Sequence, residues 1–166
     1  SRLDDAAAAL RRARDSSSTD LAASAGVNLG VVLGELGRPQ EALAAFQQLI
    51  DDYHADPSLR EQVATALNSR GVRLGQLGRP QEELAAYQRL IDDYRDDPSP
   101  ALREQVAKAL NNRGVALGQL GRPQEALASY QQLIDDYRDD PSPALREQVE
   151  LATAALYKLG GTGGPH

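Results

Sequence analysis

Apolar residues recur along the middle of this chain at helical spacing. Val63, Leu67, Leu74 and Leu77 form one set, and Leu84, Tyr87, Ile91 and Tyr94 form a second. Each set falls on one face of an amphipathic helix, with polar residues on the other. Between them stand Gly78, placed to end the first helix in a left-handed conformation, and Pro80, placed to open the second at its first turn. The pattern predicts two helices joined by a tight turn. Strands are not expected, because period-two alternation is missing and alanine, glutamine and glutamate dominate the element interiors. Ser58 with Glu61 has capping-box spacing for the first helix of the pair, and Ser99 followed by Pro100 offers the same cap with proline at the first position.

The same pattern is written three times. Residues 59–101 and 102–144 differ at six of 43 aligned positions, and a more diverged copy precedes them. The turn Leu36-Gly37-Arg38-Pro39-Gln40-Glu41 recurs from Leu77 and again from Leu120, at intervals of 41 and 43 residues, because the linker at 97–102 is shortened to Asp56-Pro57-Ser58-Leu59. A period of this size belongs to stacked helix pairs or to propeller blades, and the helical spacing removes the blades. About eight helices are predicted, over 3–14, 20–36, 39–54, 59–77, 80–94, 101–120, 123–137 and 144–159. The expected organisation is a repeat domain over 1–159, with a partial unit at 1–17, repeats at 18–58, 59–101 and 102–144, and a capping helix at 145–159. In that last helix Tyr157 and Lys158 replace the glycine and valine of the repeat, as befits a cap. Residues 160–166 read as a flexible glycine-rich tail or linker. Residues 2–10 align with 79–87, so the array is expected to begin inside a unit and to be part of a longer protein.

Charge and composition narrow the partners. A net charge of −6 and a pI near 4.9 argue against nucleic acid and anionic membrane, both of which call for a basic face. A basic or neutral protein or peptide partner fits better. The chain has no cysteine, which removes disulfides and thiol chemistry. No apolar run approaches the roughly 18 residues that span a bilayer, so a soluble, cytoplasmic protein is expected.

Gly71 and Gly114 lie within helices, where each costs about 1 kcal/mol relative to alanine. Close helix contact is the expected compensation, aided by Ala42, Ala85, Ala126 and Ala128 on the second helices. At these positions the chain resembles the tetratricopeptide repeat family. The third unit carries the likeness at Gly114, Gly121, Ala126 and Tyr130. The first carries it at Gly30, Gly37, Ala42 and Phe46, and the second at Gly71, Gly78 and Tyr87, with Glu83 where the family has a small alanine. The long spacing and the run Ala109-Leu110-Asn111-Asn112 resemble the roughly 42-residue, kinesin-light-chain-like type. The resemblance implies an all-α fold: a tetratricopeptide-like right-handed superhelix, or α-solenoid, of antiparallel helix pairs, with first helices lining a concave face.

Opposite the apolar stripe, the first helices carry Thr65, Asn68, Ser69, Val72 and Gln76, and in the next unit Lys108, Asn111, Asn112, Val115 and Gln119. Asn28, Ser69 and Asn112 are equivalent. Amide side chains both donate and accept, so a series of them can hold an extended peptide backbone. The alternative is that they simply solvate an exposed helix face. Arg70 and Arg113 sit between leucines three before and four after, where a guanidinium either forms a structural ion pair or reaches the groove rim as a ligand contact. The second helices end in acids, such as Asp92-Asp93 and Asp135-Asp136, which oppose the helix dipole. A solvated acidic rim is the expected reading, because neither the spacing nor a turn glycine suits a calcium loop. His54 and His166 have no poised partner, and the paired acids recur in every unit, so no catalytic, metal or cofactor residue is expected. The sequence points to a non-enzymatic scaffold that binds a peptide or partner protein on the concave face. A sensory or regulatory module of a larger signalling protein, or a spacer that self-associates through its terminal helices, are the alternatives.

Overall fold

The computed structural model describes residues 2–15 and 18–160. Among the described residues there are eight α-helices and no strand: α1 (Arg2–Arg14), α2 (Thr19–Glu35), α3 (Pro39–Tyr53), α4 (Arg60–Gln76), α5 (Pro80–Tyr94), α6 (Pro100–Gln119), α7 (Pro123–Tyr137) and α8 (Pro143–Gly160). The tail expected over 160–166 lies, from 161 onward, outside the described residues, as does His166. Residues 1–86 and 87–166 are two compact units, with the division inside α5.

The helix ends follow the turn chemistry. Gly37, Gly78 and Gly121 have φ of 69°, 67° and 69°, the left-handed conformation that an L side chain rarely adopts. Their amides close each helix on the carbonyls of Gly34, Gly75 and Gly118, and the next amide reaches back to Leu33, Leu74 and Leu117, as in a Schellman ending. Prolines 39 and 123 then open α3 and α7 at the first turn, where a missing N–H costs nothing. Arg38, Arg79 and Arg122 fold over these starts onto Glu41, Glu82 and Glu125 at 2.6 to 2.7 Å.

Two local expectations need correction. Ser58 does not cap α4: its amide and hydroxyl both donate to Asp56 Oδ1, at 2.9 and 2.7 Å, and residues 57–59 form a 3-10 turn instead. Asp97 and Asp140 take the Ser99 and Ser142 amides in the same way, and what keeps Ser58 from capping is that its hydroxyl is spent on Asp56 as well. Ser99 does accept from the Leu102 amide and caps α6. Ala85 and Ala128 are exposed, so they do not serve close packing; the buried small residues of the second helices include Ala42, Ala45, Ala86, Ala126 and Ser129.

Within residues 1–86, α1 packs on α2, α2 on α3, and α4 on both α2 and α3. Gly26 faces Leu49 while Gly30 faces Phe46, so one index rises as the other falls and the two helices are antiparallel. The core there is built on Leu29, Leu33, Phe46, Leu49, Ile50 and Leu67. Within residues 87–166, α7 packs on α6 and α8, and α6 on α8, around Leu102, Val106, Leu110, Tyr130, Leu133 and Tyr137. A β-carbon on Gly114 would lie 2.5 Å from the Tyr130 ring, which is the close approach expected of that glycine.

Candidate functional site

The first helices α2, α4 and α6 each keep one polar face open. On α4 it holds Thr65, Ser69, Val72 and Gln76, with Val72 and Gln76 exposed and Thr65 and Ser69 half-buried. Thr65 spends its hydroxyl proton on the Glu61 carbonyl at 2.8 Å. On α2 the matching residues are Ser24, Asn28, Val31 and Glu35, all exposed. On α6 they are Lys108, Asn112, Val115 and Gln119; Val115 and Gln119 are exposed, Asn112 is half-buried, and Lys108 is engaged with Glu104 in its own helix. Spacing of four, three and four residues keeps each set on one stripe. Asn28 was expected on this face; Ser24, Val31 and Glu35 join it, and their signal in the sequence is their offset from Gly30, which matches that of the α4 and α6 residues from Gly71 and Gly114.

Val31, Val72 and Val115 are 37%, 39% and 50% exposed. A valine thus stands partly in water at the same place in each unit.

Two of the expected face residues are not on that surface. Asn68 and Asn111 are buried. The Asn111 amide donates to the Gln148 carbonyl at 3.0 Å and to Gln148 Oε1 at 2.8 Å, so it ties α6 to α8 rather than facing solvent. A three-residue step from Gly114 turns a side chain toward the neighbouring first helix. In the first unit Val27 takes this place, and Gln62 takes that of Gln148. Among the described residues nothing bonds the buried Oε1 of Gln62, because valine has no donor to offer.

Arg113 points to the other side of α6. Its guanidinium lies between α5 and α7, donating to Gln88 Oε1, to Ser129 Oγ at 3.0 Å and to Gln132 Oε1 at 3.4 Å. These acceptors are neutral, which differs from the ion pair expected, and α5 and α7 are second helices, which differs from the rim of a groove lined by first helices. Burial lowers its pKa, opposed by the charges of Asp92 and Glu125. Ser129, fully buried, relays by donating to the Leu110 carbonyl at 2.8 Å. Arg70 is half-buried, and its charge helps to hold the Glu82 carboxyl below its ordinary range, behind the larger effect of the Arg79 hydrogen bond.

The acidic helix ends are only partly a solvated rim. Asp136 accepts from Arg95 Nε and Nη2 at 2.9 and 2.8 Å, and the hydrogen bond raises the Arg95 pKa. Asp140 is nearly buried and pairs with Arg103 at 2.6 Å, whose guanidinium lies 5.5 Å from the Tyr137 ring centre. Tyr137 itself is buried, its hydroxyl has no partner among the described residues, and desolvation pushes its pKa up to about 12. Asp51, Asp92 and Asp135 accept from glutamines one turn earlier. Among the described residues no group of three or more histidines, cysteines or carboxylates is placed to hold a metal ion, and no helix is long and apolar enough to cross a membrane.

Two family models, each described as Tetratricopeptide repeat, match residues 20–96 and 107–140. No curated protein matches the chain.

Proposed function

We propose that this chain, which belongs to the tetratricopeptide repeat family, binds a peptide segment or partner protein on the open faces of its first helices. Proteins of this family generally mediate protein–protein interaction and are generally non-enzymatic scaffolds. The observation that carries the reading here is the exposed valine repeated at Val31, Val72 and Val115 among residues that both donate and accept hydrogen bonds. The resemblance assigns these faces to a concave surface, and the turn intervals of 41 and 43 residues support the long-repeat, kinesin-light-chain-like type. Small apolar contacts flanked by Asn28, Ser69 and Asn112 suit an extended segment whose backbone amides and carbonyls remain to be satisfied. The net charge of −6 favours a basic partner.

A peptide-array screen followed by a Val72→Asp, Val115→Asp double variant tests this. Loss of binding with an unchanged unfolding curve is the expected result. Retained binding would assign the partner to another face. Asn111→Ala is unsuitable as a probe, because that side chain holds α8.

A second reading, self-association, is favoured by Leu151, Tyr157 and Leu159 on α8, which are 55%, 59% and 41% exposed. Sedimentation velocity over a wide concentration range separates the two. Mass that grows reversibly, and reverts with Leu151→Asp, would make self-association the function to explain.

A further inference from the structure

The first helix pair is hollowed where the third is filled. Counting from the repeat glycine, Ala22 stands for Val106, Gly26 for Leu110 and Leu29 for Arg113, while Ala45 on α3 stands for Ser129. All four are smaller, and three of them line a cleft of about 270 Å³, whose walls include Arg14 of α1 and Gln48, Asp52 and Tyr53 of α3. Leu29, the fourth, floors an adjoining cleft of about 240 Å³ that shares Arg14, Ala45 and Gln48. Both lie on the side of α2 opposite Asn28 and Val31, so they are separate from the exposed valine face.

Within this chain the equivalent space already has an occupant. In the third unit two guanidinium groups reach it: Arg113 donates to Ser129 and Gln132, the counterparts of Ala45 and Gln48, and Arg95 donates to Asp136, the counterpart of Asp52. Gln48 is the counterpart of Gln132, one of those acceptors. Its Nε2 donates to both Asp52 oxygens at 2.9 Å, which leaves its own Oε1 and the Asp52 charge available; no cation pairs with Asp52 among the described residues. The two arginines on the α1 wall are each bound to an acid, Arg11 to Glu41 at 3.4 Å and Arg14 to Asp15 at 3.3 Å. The cleft thus combines an apolar floor, matched to an aliphatic stem, with an acidic, accepting mouth, matched to a planar cation.

We propose that the cleft between α1 and α3 is a second binding site, which takes an arginine side chain from a partner in the place that Arg113 and Arg95 reach in the third unit. Its aliphatic stem lies against Ala22, Gly26 and Ala45, and its guanidinium donates to Gln48 and Asp52. This stands independently of the exposed-face reading, since no residue is shared.

The test uses amide NMR on the whole chain with two probes, N-acetyl-arginine methylamide and N-acetyl-norleucine methylamide. Saturable shifts at Gly26, Ala45 and Gln48 are expected with the arginine probe alone. Asp52→Asn weakens them by about tenfold, the equivalent of one charge-assisted hydrogen bond. Gly26→Leu restores the residue that the third unit has there, fills the space and abolishes them, with circular dichroism confirming the fold; Ala22→Val, the third unit's residue one turn earlier, fills the same space should that variant fail to fold. Absence of shifts at these amides with millimolar probe, equal shifts from norleucine, or undiminished binding in a filled variant that folds would each overturn the assignment.

Discussion

The helix pairs α2–α3 and α6–α7 share a turn, a left-handed glycine and an aromatic seated on a helix glycine, yet they differ in what surrounds that contact. In α6–α7 the space beside Gly114 and Tyr130 is occupied by Val106, Leu110, Arg113 and Ser129. In α2–α3 the same places hold Ala22, Gly26, Leu29 and Ala45, and a cleft opens. The glycine–aromatic contact and the turn are common to both pairs. The residues around them are free to fill the space or to leave it, which is how near-copies in one chain come to present different surfaces.

The glycine contacts are the strongest way to break the comparison. Alanine at Gly114 would put its β-carbon 2.5 Å from the Tyr130 ring, and alanine at Gly30 would meet Phe46 in the same manner. Each substitution is expected to cost about 1–3 kcal/mol by overpacking, read as a lower urea midpoint. Gly26→Ala, one turn earlier in α2, meets only the tip of Leu49 at 3.1 Å. It is expected to stabilise, by up to about 1 kcal/mol, through helix propensity. If all three behaved alike, the division between a contact that fixes the pair and a position that is free would be wrong.

The link between neighbouring first helices is expected to give the next effect. Asn111→Ala strands the Gln148 side chain and should lower stability by about 1 kcal/mol, the net worth of a hydrogen bond with a polar group left unpaired. Val27→Asn makes the opposite change, giving Gln62 Oε1 the donor that Gln148 already has, and should raise stability by a similar amount. The two thermal shifts should therefore carry opposite signs.

Tyr137 should give the smallest effect near neutral pH. Its hydroxyl makes no hydrogen bond among the described residues, so Tyr137→Phe should leave stability unchanged or slightly improved. The difference emerges in alkali. Burial raises the folded pKa from 10.0 to about 12, so the unfolded chain releases its proton first. The contribution of the neutral phenol is present in full below pH 10 and is lost as pH rises from 10 toward 12. The phenylalanine variant should lack that portion of the alkaline fall, measured against wild type in parallel denaturation curves.

Much of this was readable in advance. Eight helices were legible from periodicity together with the glycine and proline turns, because helix, left-handed stop and proline start are local decisions. The helix ends that shifted did so through linker chemistry, as when Asp56 rather than Ser58 organised the start of α4. The candidate face was legible only by stripe: Val72, Val115, Gln76 and Gln119 stand exposed, whereas Asn68 and Asn111 turn inward. A helical wheel separates apolar from polar, but it cannot tell an amide that faces water from one that bonds the next helix. Arg113 illustrates the same limit, since its partners lie on two helices, 16 to 25 residues away in sequence.

By itself, then, the sequence determined the helices, their turns and the glycine contacts at Gly30 and Gly114, because each is written in short-range spacing that repeats from copy to copy. Tertiary structure alone decided which polar residues are spent inside. Asn111 is committed to Gln148 and Arg113 to Ser129 and Gln132 because packing brings those acceptors within bonding distance and takes the water away. It also decided where space is left over, for a cleft is a relation among α1, α2 and α3, and no one stretch of chain contains it.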